Sequence, residues 1–328
     1  MEILFFIIIQ LIKFLIVAVP VLISVAYLTL AERKIIGYSQ TRKGPNVVGI
    51  YGLLQPLADG LKLFSKEMLI PNHVSIFLYF FSPILALTLG LAVWGLMPLN
   101  YSSVVSDVSL GILIIFALSS VGVYAILMSG WSSNSKYAFM GSLRAAAQMI
   151  SYEVSIGLII ISVILCCGSM NLLNIVYCQE HSIWFLFPLL PAGFMFFISC
   201  LAETNRAPFD LTEGESELVS GYNVEYSSMT FALFFLAEYA HIIFMSFLFA
   251  IIFLGGWSFI ISSPIVLFIK GTFMVFLFVW VRTSFPRLRY DQLMSLLWKS
   301  YLPLSIGLIL LVNSLLWSIN GLPPLSCI

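Results

Sequence analysis

The strongest constraint on this chain is a pattern: long apolar runs, each near the 20 or so residues that a bilayer core demands of a helix, separated by short polar loops. Eight such runs are expected to be helices, from Ile3 to Leu30, Ile76 to Leu96, Leu110 to Ser129, Ser142 to Cys167, Ile183 to Ala202, Ser227 to Leu254, Ile265 to Val281 and Tyr301 to Ile319. Only 9% of the residues are charged and 61% are hydrophobic, whereas about a quarter of a soluble domain is charged. The chain therefore reads as an all-α polytopic membrane protein. No linker or repeat divides it, so residues 1–328 are expected to form a single integral membrane domain. The first run lacks a basic leader and is too long for a signal peptide, and it is expected to stay as a span.

Charge sets the orientation. If all eight runs cross, one set of alternate loops contains Arg33, Lys34, Arg42, Lys43, Lys62, Lys66, Lys136, Arg206, Arg282, Arg287, Arg289 and Lys299, and the other set contains no lysine or arginine. The positive-inside rule puts the charged face in the cytoplasm or the mitochondrial matrix, with both termini on the outer side. Arg144, Lys13 and Lys270 fall inside spans, and the two lysines are expected to snorkel outward. Cys166, Cys167, Cys178, Cys200 and Cys327 lack metal-ligand spacing and read as structural thiols.

In the first inner loop, Ile50, Leu53, Leu54, Leu57, Leu61 and Phe64 recur at helical spacing, while Gln55, Asp59, Lys62 and Lys66 take other faces. Such a helix, at about residues 50–67, is too polar to span and should lie at the membrane surface. It either seals the bundle or roofs a lateral opening for an apolar ligand whose polar end meets Arg33, Arg42 and Lys62. The fifth inner loop, about residues 203–226, holds Glu203, Asp210, Glu213, Glu215, Glu217 and Glu225 with one arginine, Arg206. Like charges this dense need compensation, and the arginines of loops one and seven are the expected partners. Glu153 and Glu238 lie well inside spans, where an ionisable group is costly and by default marks an ion or proton route. Tyr152 and His241 are the expected hydrogen-bonding neighbours of Glu153 and Glu238 respectively. The basic seventh loop, Arg282 to Gln292, is topogenic or docks an acidic partner; nucleic acid is not an expected partner.

The sequence contains no Gly-rich nucleotide loop, no HExxH, no cysteine cluster for iron and sulfur and no histidine pair for haem. Any redox reaction must borrow its cofactors from other chains.

Several strings together resemble subunit 1 of proton-pumping NADH:ubiquinone oxidoreductase, respiratory complex I. They are Ala31-Glu32-Arg33-Lys34, Thr41-Arg-Lys-Gly-Pro-Asn46, Gly52-Leu-Leu-Gln-Pro-Leu-Ala-Asp59, Arg144 through Tyr152-Glu153, Leu201-Ala-Glu-Thr-Asn-Arg206-Ala-Pro-Phe-Asp210, Glu213-Gly-Glu-Ser-Glu217, Tyr222-Asn-Val-Glu225-Tyr226, Glu238-Tyr239 and Arg289-Tyr-Asp-Gln292. The resemblance covers essentially the whole chain. It implies that Glu32, Arg33, Arg42, Asp59 and Lys62 line or gate the way in for quinone, with Phe231 and Phe235 facing its isoprenoid tail. Arg206, Asp210, Glu213, Glu215 and Glu217 would form a charged coupling loop, and Glu203, Glu225, Glu153 and Glu238, with Tyr152 and Tyr239, the start of a proton path. No cofactor would be bound by this chain alone: ubiquinone is substrate, and NADH, FMN and iron-sulfur clusters belong to other subunits. The implied partners are the peripheral quinone-module subunits, small neighbouring membrane subunits and the lipid bilayer. Short termini, dense Phe and Ile usage and the string from Trp131 to Tyr137 point to the mitochondrial inner membrane rather than a bacterial plasma membrane. An autonomous cation or proton exchanger, the anchor subunit of a membrane-bound hydrogenase, and a purely structural anchor are the competing readings.

Overall fold

The computed structural model describes residues 2–101, 103–210, 221–259 and 262–318, and among them every regular element is helical. Each expected apolar run contains a helix, and seven helices are long and apolar enough to cross a bilayer. Helix α1 (Glu2–Ser39) outruns its expected end at Leu30. At about 1.5 Å per residue it exceeds a ~30 Å hydrocarbon core, so Glu32, Arg33 and Lys34 ride on helix rather than in a loop. Helix α2 (Gln55–Ser65) is the surface helix, shorter than its expected 50–67. It is preceded by a tight turn in which Gly52 sits at φ 77° and a Cβ would stand 2.3 Å from the Pro45 carbonyl oxygen. Helices α3 (Ile76–Ala92), α4 (Gly111–Ser132) and α5 (Lys136–Cys167) follow.

Helix α6 (Leu172–His181) was not expected from the sequence. It is too short to span, and it buries one face through Leu172, Ile175, Val176 and Gln179. Helix α7 (Leu190–Glu203) begins later than its expected start at Ile183. Pro191 lies in its first turn, where the missing N–H costs nothing, and turns occupy residues 185–189 before it. Helices α8 (Ser228–Phe253) and α9 (Pro264–Ser284) match their runs closely. The last run is longer than expected. Helix α10 (Tyr290–Leu296), a π-helical turn (Leu297–Tyr301) and α11 (Leu302–Ser318) are continuous, so Lys299 is helical rather than part of the seventh loop.

Helix α8 is the axis of the bundle: from Ile242 to Phe253 every residue is buried, against α3, α7, α9, α1 and α6. Trp94 meets Phe244 and Phe247 edge-on, with ring centroids 6.0 and 5.6 Å apart, as aromatic quadrupoles favour. Helix α5 packs against α4, α7 and α11. Lys270 corrects one expectation. Instead of snorkelling, its Nζ donates to the carbonyls of Leu254 (2.6 Å), Gly256 (3.0 Å) and Ser258 (2.7 Å) and stands 4.5 Å above the Trp184 ring. Carbonyls of the turn that follows α8 are thereby satisfied, and the C-terminal end of a helix is a favourable place for a cation. Lys13 is exposed on α1.

Candidate functional site

Where α1 leaves the bundle, the buried Glu32 accepts hydrogen bonds from Tyr239 Oη on α8 (2.5 Å) and from Arg282 Nη1 at the end of α9. The next residue, exposed Arg33, pairs with Asp59 of α2 at 2.7 Å, and Gln55 Nε2 donates to the same carboxylate at 3.0 Å. Lys34 Nζ donates to the Tyr51 carbonyl. Helix α2 is thus pinned to α1 by charge along one side. Its other end is tied to α8, because Ser228 Oγ donates to the Leu63 and Lys66 carbonyls (2.9 and 2.8 Å) and Ser227 Oγ accepts from Leu69 N–H (3.0 Å). No residue of α2 is buried, and Leu57, Leu61 and Phe64 are 61%, 69% and 72% exposed, an apolar stripe uncovered by the rest of the chain. Phe231 and Phe235, half-buried on α8, meet with ring centroids 4.4 Å apart and planes tilted by 45°. Arg42 and Lys62 are exposed.

A second polar cluster lies deeper. Glu238 on α8 accepts from Tyr222 Oη (2.5 Å) and stands 3.6 Å from Arg206, whose guanidinium also covers the Tyr239 ring at 4.4 Å. Arg206 and Glu32 line a small cavity of about 20 Å³ with Tyr239 and Arg282, and so the two clusters adjoin through Arg206 and Tyr239. Glu238 in turn lines a cavity of about 100 Å³ with Glu203, Asn205, Tyr222, His241 and Ser119, room for several waters where polar partners exist. His241 Nε2 is 3.4 Å from Glu203 Oε1. Glu203 Oε2, Asn205 Oδ1 and His241 Nε2 are buried without a hydrogen-bond partner among the described residues, as expected of groups served by water. Glu203, His241 and Ser119 also line a further cavity of about 10 Å³. Ser119 Oγ (3.0 Å) and Ser120 Oγ (2.6 Å) both donate to Glu153 Oε1 on α5. Carboxylates, an imidazole, hydroxyls and water-sized spaces therefore follow one another from Glu32 to Glu153.

The segment after α7 is fastened on several sides. Gln148 Nε2 donates to the Ala202 and Phe209 carbonyls (2.8 and 2.9 Å), Leu288 N–H to the Pro208 carbonyl (3.0 Å), and Arg287 pairs with Asp210 at 3.0 Å. The expected match between acidic loop five and basic loop seven is present in that last pair. Tyr226 bridges Ser82 and Ser132 (3.0 and 3.1 Å), and burial pushes its phenol up, so it keeps its proton. Glu213, Glu215 and Glu217 lie outside the described residues.

Two expectations are corrected. His241 meets Glu203 rather than Glu238, because the carboxylate on the facing helix is closer than the one a turn back on its own. Tyr152 does not meet the Glu153 carboxylate. Its hydroxyl is buried without a partner among the described residues and its ring packs 6.1 Å from Phe209, since adjacent helix positions point about 100° apart. Glu225, expected on the proton path, accepts from Tyr79 Oη through its main-chain carbonyl (2.9 Å). Sequence reasoning also passed over Ser119, Ser120 and Arg282 as site residues. Arg282 alone left a signal, as the only basic residue in the last turn of its helix. Among the described residues no three His, Cys, Asp or Glu side chains form a group that could hold a metal ion.

Fold and site together define a class: an all-helical polytopic membrane protein with a surface helix at one end and a buried, titratable polar cluster inside. A family described as NADH dehydrogenase matches residues 12–313. The chain is 65% identical to NADH-ubiquinone oxidoreductase chain 1 of Metridium senile over 95% of both chains. It is 57% identical to the protein of that name from Chondrus crispus (95% of this chain, 98% of the relative) and 56% identical to that from Arabidopsis thaliana (94% and 97%). The chain belongs to this family, the chain 1 subunits of NADH-ubiquinone oxidoreductase.

Proposed function

We propose that this chain is the subunit of NADH:ubiquinone oxidoreductase in the mitochondrial inner membrane at which quinone enters from lipid, and that it couples quinone reduction to proton translocation. The observation that carries this is the series of titratable and hydroxyl groups, spaced by small cavities, from Glu32 beside the surface helix to Glu153 inside α5. The apolar stripe of α2 with Phe231 and Phe235 would admit the quinone's tail, and Arg33, Arg42 and Lys62 would meet its polar head. Electrons come from groups held by other subunits, which complete the quinone chamber. The charged loop, with Arg206, Asp210, Glu213, Glu215 and Glu217, would respond to the charge left when reduced quinone takes up protons.

The magnitude suffices. One uncompensated charge ~10 Å away, at an effective dielectric of ~20, is worth about 1.7 kcal/mol, or more than tenfold in a proton equilibrium. Protons would pass from Glu238 across the cavity to Glu203 and His241, and through the Ser119 hydroxyl to Glu153. Photoaffinity labelling of the native complex with an azido-quinone tests the doorway. Label within residues 32–64 or 227–238, removed by excess quinone, is expected; label confined to other subunits would leave the chain a conduit or anchor. Flux of ions through the purified chain in liposomes would favour an autonomous exchanger instead.

A further inference from the structure

On the face opposite the surface helix by the charge rule, α5 ends in Cys167 and Cys178 lies in α6. The chain reverses at Gly168, whose φ of 76° suits a residue without a side chain. Asn171 Oδ1 then starts α6 by accepting from Leu173 N–H at 2.9 Å. The reversal lays α6 back along the end of α5 and brings the two thiols together, Sγ to Sγ at 3.0 Å. A disulfide bond is about 2.05 Å long, so about 1 Å separates this contact from a bond. Cys167 is buried and Cys178 half-buried, leaving one sulfur to meet a reagent and the other behind it. Gln179, next to Cys178, donates through Nε2 to the Ile251 and Ile252 carbonyls of α8 (2.9 and 3.1 Å). Helix α6 therefore bridges the far ends of the two helices that carry Glu153 and Glu238.

We propose that Cys167 and Cys178 are a redox-convertible pair on the outer face, oxidised to a disulfide by a disulfide-bearing co-reactant such as oxidised glutathione or a thiol oxidoreductase. The Cys178 thiolate attacks the co-reactant's disulfide, forming a mixed disulfide and releasing one thiol. The Cys167 thiolate then attacks the Cys178 sulfur and releases the second. The protein gives up an electron pair and two protons, and the co-reactant disulfide becomes two thiols. The outer side of such membranes, the periplasm or its topological equivalent, is where disulfides persist. The proposal rests on the membrane orientation and not on the proton relay, so the two fail separately.

The test is differential alkylation of the intact complex in native membranes. Samples are quenched in acid, treated with N-ethylmaleimide, reduced, treated with its deuterated form and mapped by mass spectrometry. Parallel samples are first incubated with oxidised glutathione, which does not cross the bilayer, on right-side-out and on inverted vesicles. The expected result is deuterated label on both Cys167 and Cys178, with a cross-linked peptide in the unreduced digest, natively or after oxidant on right-side-out vesicles. Light label on both cysteines throughout would overturn the pair. Glutathione on Cys178 without a cross-link would overturn it as well, because the second exchange has not occurred. A cross-link formed only in inverted vesicles would overturn the outer-face assignment, and with it the proposal.

Discussion

The two polar regions differ in how their charge is balanced. Beside the surface helix, two carboxylates have their own cations: Glu32 has Arg282, and Asp59 has Arg33. Inside the bundle, Glu238 shares Arg206 with the ring of Tyr239, Glu203 faces only the imidazole of His241 among the contacts described, and Glu153 is held by serine hydroxyls. Matched pairs hold a shape, since moving a proton would strand a buried charge. An under-compensated cluster does the reverse. On the function proposed above, its members would trade a proton, so the surface region would position and the inner one exchange.

Five substitutions break or sharpen that contrast. The largest effect is expected at the inner cluster: Glu238→Gln and Glu203→Gln should each lower NADH:quinone turnover and proton pumping by about tenfold or more, within the range of lost acid-base groups. The complex should still assemble, because an amide fills the same space. Normal pumping at normal turnover in either variant would dissolve the distinction. Next comes Arg282→Ala, which strands the Glu32 carboxylate. Breaking a buried pair costs about 3–5 kcal/mol, and Arg282 is 29% exposed, so about 2 kcal/mol is expected here. It should appear as a lowered Tm of the complex or reduced assembly, with turnover per assembled complex little changed.

His241→Asn tests the exchange role more gently. Turnover and proton pumping should fall several-fold, because the amide cannot pass a proton on from Glu203, while Tm stays near wild type. Unchanged turnover and pumping would reduce His241 to a spacer. The smallest effect belongs to Asp59→Ala: the Arg33 pair is largely exposed, and such pairs contribute about 0–1 kcal/mol. A rise of less than about threefold in quinone KM with kcat unchanged is expected. A large fall in kcat would mean that the surface region does more than position.

The spans were legible because keeping apolar side chains out of water is a strong, cumulative requirement that leaves about 20 residues with little choice. What the sequence could not convey is how neighbouring helices face one another. His241 follows Glu238 on one helix, yet the helix that brings Glu203 to it is more than thirty residues away in sequence. Tyr152 adjoins Glu153 in sequence but not in space for the same reason in reverse: the helix turns them apart. Lys270 looked like a residue reaching for water because the run gave no hint that three carbonyls of the turn that follows α8 would surround it. Helix α6 escaped notice because its apolar face is short and local, below the length that marks a span. Glu32, Arg33 and Asp59 were recognisable as a group, but the partner that neutralises Glu32 comes from the far end of the chain.

The lysine cap on α8 also has a mechanical consequence. One end of α8 is clamped by Lys270 and by Gln179, while the other is joined to α2 through Ser227 and Ser228. A rod fixed at one end and attached at the other to a surface piece is a lever with its pivot at the clamp. On the function proposed above, a quinone pressing on α2 would load α8 at the end away from the clamp, and the segment from Phe231 to His241 lies nearest that end.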